Sequence, residues 1–137
     1  MSSNAQVRRR AVQAARGESP FDLLLIDAQI VDMATGEIRP ADVGIVGEMI
    51  ASVHPRGSRE DAHEVRSLAG SYLSPGLMDT HVHLESSHLP PERYAEIVLT
   101  QGTTAVFWDP HELANVLGVA GVRYAVDASR HLPLQVM

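Results

Sequence analysis

The stretch PGLMDTHVHLESS, residues 75–87, decides how the chain is read. A Pro-Gly pair breaks the preceding segment, a short apolar run follows, and His81 and His83 close it one residue apart. On a strand, side chains alternate faces, so His81 and His83 point the same way, with Asp79 one step earlier on that face. Converging imidazoles suit zinc, iron or manganese, and a carboxylate shifts the preference toward the harder ions. An ion so held lowers the pKa of bound water from about 15.7 to about 7. Spacing alone does not decide the matter: seven histidines in 137 residues give roughly 0.3 His-x-His pairs by chance. Position adds weight, because both histidines sit at the C-terminal end of the run, the end that carries the chemistry in barrel folds.

Composition narrows the alternatives. The chain has 137 residues, 45% of them hydrophobic and 20% charged, as expected of a globular domain rather than a disordered one. Its formal net charge of −6 leaves no basic footprint for nucleic acid. The arginines at 8–10 read as a solvated, frayed end. Cysteine is absent, which excludes disulfides and thiolate metal sites and leaves His, Asp and Glu as the strong ligands. A reducing cytoplasm is the default location. No signal peptide is visible, since the arginines are followed by AVQAARGESP rather than an apolar run. FDLLLID is too short to span a bilayer.

Outward from the central stretch, the pattern differs on its two sides. Residues 4–16 are good helix formers closed by Gly17, and residues 1–20 read as an N-terminal helical extension. Residues 21–74 are strand-rich: runs at 22–27, 28–33 and 41–47, a turn at Gly47-Glu48, a return strand at 48–53, a polar loop at 54–63, and a turn at Ala69-Gly70. This block reads as a small β-sandwich-like domain. From residue 75 onward the order is strand (77–83), helix (90–101), strand (103–108), helix (119–131) and the beginning of a strand (133–137), the signature of α/β architecture. TTAVFW reads as a strand buried on both faces. Tyr94, Ile97 and Val98 mark one helix face, and Val119, Val122 and Val126 another.

A second polar cluster, DPHELANV, occupies 109–116. One reading is a capping box, with Asp109 as N-cap, Pro110 at N1, Glu112 at N3 and His111 an exposed first-turn residue. The other places Asp109, His111 and Glu112 at the C-terminal end of the second α/β strand, beside the first cluster. Glu85 and Ser86 read as loop polarity or as part of that site. His54, His63, His88 and His131 read as solvated histidines, and Phe107 and Trp108 as core.

Taken together, PGLMDTHVHLESS, GTTAVFWDPHELANVLG and LPL resemble the adenine deaminases, a branch of the metal-dependent amidohydrolase superfamily. The Pro-Gly-x-x-Asp-x-His-x-His element is shared across the superfamily, whereas HLESS and DPHELANV are particular to adenine deaminases. The resemblance spans roughly residues 21–137. It implies that residues 75–137 begin a distorted (β/α)8 barrel whose first two strand–helix units are present. It implies a binuclear centre, manganese or iron rather than zinc, whose activated hydroxide converts adenine to hypoxanthine and ammonia. His81 and His83 are then first-strand metal ligands. Glu85, Asp109, His111 and Glu112 are candidates for accessory ligands or for groups supporting the metal. The family's enzymes are commonly homo-oligomers acting on a small molecule, without nucleic acid or membrane.

The sequence departs from the family in two places. Pro90 stands where a capping Thr or Ser is usual, and His88 where an apolar residue is usual. A complete barrel needs about 250 residues, so the expectation is an N-terminal portion whose general base lies outside this chain. The rival reading is a non-catalytic truncated remnant or a partner subunit. A sister amidohydrolase acting on a cyclic amide is a third, against which HLESS and DPHELANV argue. Zinc deaminases of the His-x-Glu…Cys-x-x-Cys type are excluded by the missing cysteines.

Overall fold

The computed structural model describes residues 2–137. They form two compact units, one ending at Pro75 and one running from Gly76 to Met137. No helix among the described residues is long and apolar enough to cross a membrane.

The first unit combines helix α1 (Ser2–Ala15) with strands β1 (Phe21–Asp32), β2 (Glu37–Val46), β3 (Met49–His54), β4 (Ala62–Ser67) and β5 (Tyr72–Leu73). They make one sheet in the order β3–β2–β1–β4, with β5 also on β1. β1 runs antiparallel to β2 and parallel to β4 and β5. This is a single sheet with a helix, where the sequence reading had a sandwich. The helix is no separate extension: Ala11 and Ala14 share a buried cluster with Phe21, Leu24 and Val46. Nor is the arginine run frayed, because Arg8–Arg10 lie within α1 and Arg10 pairs with Asp22.

The two predicted runs at 22–27 and 28–33 are one strand. It is broken by a bulge between Leu25 and Ala28, where Asp27 adopts a left-handed φ of 63°. The bulge passes β1 from β4 to β5, and the Leu68–Ser71 turn bonds to it, with Gly70 N–H donating to the Asp27 carbonyl at 2.7 Å. Asp42 is 1% exposed. Its carboxylate accepts the Asp27 N–H at 3.2 Å and the Gly57 N–H at 2.7 Å, so the buried charge is hydrogen-bonded.

His54 is a correction to the sequence reading. It ends β3 rather than lying in a solvated loop, and it is buried and stacked on Phe21 with ring centroids 5.8 Å apart. Its Nδ1 meets the Ser52 hydroxyl at 3.0 Å, while Nε2 has no partner. The β2–β3 register slips between Gly44 and Ile45, so simple alternation along β3 does not announce this burial.

The second unit contains β6 (Leu77–Val82), a 3-10 turn (Leu84–Ser87), α2 (Pro91–Thr100), β7 (Thr103–Trp108), α3 (His111–Leu117), α4 (Val119–Ser129) and β8 (Gln135–Val136). Its three strands are parallel, in the order β6–β7–β8. α2 opens with Pro91 at N1, where its missing N–H costs nothing. Pro90 at the N-cap offers no side-chain bond. Leu84, Trp108 and Ala125 form one buried apolar cluster and Ala95, Val106 and Leu134 another.

Several residues expected in the core lie outside it. Phe107 is 42% exposed, so β7 is not buried on both faces. Val119 and Val126 of α4 are exposed, while Gly121 and Ala125 of the same helix are buried. The cause is close approach: a Cβ on Gly121 would overlap the Leu113 carbonyl, so the contact face of α4 takes small residues and the valines turn outward.

Two consequences are open to measurement. Gly44 lies against the buried Phe21 ring, which a Cβ would overlap. Gly44→Ala is therefore expected to lower stability by about 1–3 kcal/mol through overpacking, and an unchanged urea midpoint would contradict that packing. Burial lowers the His54 pKa below its ordinary 6.5, with Asp42 opposing and Arg59 assisting. The unfolded chain then binds the proton more readily, so this contribution is present above pH 6.5 and is lost as pH falls through the lowered folded value. His54→Gln, which cannot charge, is expected to flatten the fall in stability below pH 6.5 as followed by urea titration.

Candidate metal centre

Parallel pairing brings the ends of β6 and β7 together. Val82 lies opposite Trp108, and the Asp109 N–H donates to the Val82 carbonyl at 3.0 Å, extending the ladder by one residue. The His-x-His end and the Asp-Pro-His-Glu segment are thereby adjacent.

His81 lies on β6 and His83 just past its end. Their Nε2 atoms face each other at 3.2 Å. The third group is Asp109, whose Oδ2 is 3.5 Å from His81 Nε2. One ligand atom each from His81, His83 and Asp109 falls within a 4.8 Å span, the group suited to an ion among the described residues. Asp79, expected on the same face, does not join it. Its carboxylate instead accepts the His81 N–H at 3.1 Å, in the irregular stretch where β6 pairing slips between Asp79 and Val82.

His83 Nδ1 lies 3.0 Å from the Asp109 carbonyl oxygen. A carbonyl only accepts, so Nδ1 carries the proton and the neutral ring keeps its lone pair on Nε2, facing His81. His111 Nδ1 lies 3.1 Å from Asp109 Oδ2, and the His83 and His111 rings meet edge to face at 4.5 Å. The His111 hydrogen bond, with the electrostatic influence of the neighbouring imidazoles, holds the Asp109 carboxyl below its usual range against partial desolvation. Asp109 is thus an ionised acceptor at neutral pH.

The capping-box reading is overturned. The N-cap of α3 is Pro110, without a side-chain cap bond, because the Asp109 carboxylate is turned to His111 and His81. Glu112 accepts from the Ser86 hydroxyl, at 2.9 and 3.1 Å to its two oxygens. Glu85 also lies outside the cluster of three: its Oε2 accepts the Trp108 indole N–H at 2.6 Å and its Oε1 the Leu113 N–H at 3.4 Å. Burial acts to raise the Glu85 pKa. The Trp108 indole and the peptide N–H groups of Glu85, Leu113 and Glu112 outweigh it, leaving the carboxyl below its ordinary 4.5. His88, in a left-handed conformation at φ 58°, is exposed at the end of the 3-10 turn.

Trp108 is the polar partner that a core assignment overlooked. A buried indole N–H ordinarily finds an acceptor, and once Val82 is set opposite Trp108 the nearest carboxylate past the strand end is Glu85.

Residues 72–137 match the amidohydrolase family. Over all 137 residues the chain is 99% identical to an adenine deaminase of Klebsiella pneumoniae subsp. pneumoniae, of which it spans 23%. It is 73% identical to one of Serratia proteamaculans over 130 residues, 95% of the chain and 22% of the relative. It is 58% identical over 132 residues to adenine deaminase 2 of Rhizobium meliloti, covering 96% of the chain and 22% of the relative. The chain thus spans under a quarter of the length of the curated relatives it matches. Among solved structures, a D-aminoacylase with a binuclear metal centre aligns at 32% identity and a TM-score of 0.54, over 65% of this chain and 18% of that one. The L-hydantoinase of Arthrobacter aurescens, at 22% identity and a TM-score of 0.55 over 66% of this chain and 21% of its own, shares the fold. Residues 72–137 are thus similar to the amidohydrolase family, and the chain is similar from end to end to adenine deaminases.

Proposed function

We propose that this chain supplies the first metal-binding strands of an adenine deaminase, which hydrolyses adenine to hypoxanthine and ammonia. The observation that carries the reading is the convergence of His81, His83 and Asp109 at adjacent parallel strand ends. The end-to-end similarity to adenine deaminases supports the substrate.

The donor set fits a divalent ion, with two imidazole nitrogens and a carboxylate oxygen within reach of one point. His81, His83 and Asp109 would hold it, manganese or iron in preference to zinc. Bound there, it supplies Lewis acidity that brings the pKa of a coordinated water from about 15.7 toward about 7. The chain's own residues prepare that chemistry. The Asp109 carbonyl keeps the His83 proton on Nδ1, and His111 hydrogen-bonds the Asp109 carboxylate and holds its pKa below the ordinary value. Glu112, held by Ser86, is a candidate accessory ligand or supporting group. The general base and the remaining ligands belong to sequence outside this segment.

Residues 75–137 are read as the start of a (β/α)8 barrel, and residues 21–74 as its small β-domain. The outward valines of α4, with Val116 and Leu117 of α3 exposed beside them, suit a segment that packs against further barrel units. The reading carries a homo-oligomeric enzyme acting on a free nucleobase in the cytoplasm, with neither nucleic acid nor membrane as partner.

In a full-length relative carrying this segment, His81→Ala or His83→Ala is expected to lower kcat/KM by at least ~100-fold, since the Lewis-acid contribution is several kcal/mol. Loss of adenine absorbance gives the measurement, and near-native rates would remove both residues from the metal site. The 137-residue chain alone, supplied with Mn2+, is expected to give no appreciable hypoxanthine. Turnover by it would show that these residues suffice.

A further inference from the structure

We propose that Glu85 and Trp108 form a positioning clamp that sets the spacing of the His81–His83–Asp109 cluster, an inference that rests on that cluster holding a divalent ion. The clamp is visible as a closed ring. Glu85 stands two residues after His83, and Trp108 one residue before Asp109. The Trp108 N–H to Glu85 bond at 2.6 Å and the His83 Nδ1 to Asp109 carbonyl bond at 3.0 Å therefore cross the same gap side by side. With the Asp109 N–H to Val82 carbonyl bond at 3.0 Å, three links tie residues 82–85 to residues 108–109. One link could hinge; three in sequence cannot without breaking.

The partners suit the task. Trp108 is 8% exposed and packs with Leu84 and Ala125, so its indole is a fixed post rather than a swinging arm. The Glu85 carboxylate takes the indole N–H at 2.6 Å. Its second oxygen reaches the Leu113 N–H at 3.4 Å, so the same carboxylate also secures α3, which carries His111. Glu85 thereby fixes where the His83 backbone ends and where Asp109 begins without being a ligand itself. Groups that orient ligands in this way typically account for 10–100-fold in metal affinity.

Co2+ serves as probe, because a site of this donor set binds it at least as tightly as manganese or iron and its visible bands report coordination. Trp108 is the single tryptophan, so its emission reports the clamp directly. In the native chain, Co2+ is expected to bind and to quench that emission, with binding lost in His81→Ala. Glu85→Ala and Trp108→Phe should each weaken Co2+ binding at least ~10-fold. The double variant should be no weaker than Glu85→Ala, which already removes the bond that Trp108→Phe removes. Glu85→Gln should retain most of the affinity, because its amide oxygen still accepts the indole N–H. Trp108→Phe preserves the buried ring and decides the matter if Glu85→Ala fails to fold. Native-like affinity in Trp108→Phe, or no rescue by Glu85→Gln, overturns the clamp while leaving the metal reading intact. Absence of Co2+ binding by the native chain overturns the metal reading and the clamp with it.

Discussion

The second unit depends on the parallel registration of β6 with β7, which sets Val82 opposite Trp108. Parallel strands end on the same side, so residues far apart in sequence leave the sheet as neighbours. From that point the chains diverge, one into a 3-10 turn and the other into α3. The peptide group of Asp109 is used at both ends. Its N–H is given to Val82 and its carbonyl accepts from His83. With its backbone fixed, its side chain is left to answer to His81 and His111.

Two aspartates show how one residue type serves opposite ends. Asp42 is buried and accepts two peptide N–H groups, donors that do not titrate, so it fastens the β1 bulge to the loop after β3. Asp109 is half-exposed and faces imidazoles, side chains that can carry a proton or ligate a metal. Donors of fixed protonation suit a structural post, and donors that exchange protons suit a site of chemistry. The surface ion pairs elsewhere, such as Arg93 with Glu96, contribute little by comparison.

The sequence disclosed the elements better than the faces. The hairpin turn at Gly47-Glu48, the helix read over 90–101 and the strand–helix alternation after residue 76 follow from local rules that tertiary context rarely overrides. What it did not disclose depended on partners distant in the chain. Asp109 followed by Pro110 and Glu112 has the form of a cap, but two histidines compete for its carboxylate and prevail. The valine spacing in α4 is helical, yet Gly121 claims the contact face because α3 comes close. His54 looked like loop polarity because nothing local announces that Phe21 covers it. The capping and apolar-stripe rules are statements about single helices, and each failed where a second element stood within contact distance.

An account of the polar atoms around the strand ends explains why this point, among several acidic and histidine-bearing places, is suited to an ion. His83 Nδ1 is spent on a carbonyl, both Glu85 oxygens on N–H donors, and Glu112 on the Ser86 hydroxyl. His111 Nδ1 is spent on Asp109. What remains is His83 Nε2 with its lone pair, His81 Nε2 facing it at 3.2 Å, and an ionised carboxylate beside them. Two facing lone pairs repel, and a proton on His81 can satisfy only one of the acceptors that converge there. A cation satisfies all three at once. The surrounding hydrogen bonds therefore fix the rings in place and leave both Nε2 atoms facing the Asp109 carboxylate, where an electrophile can be held.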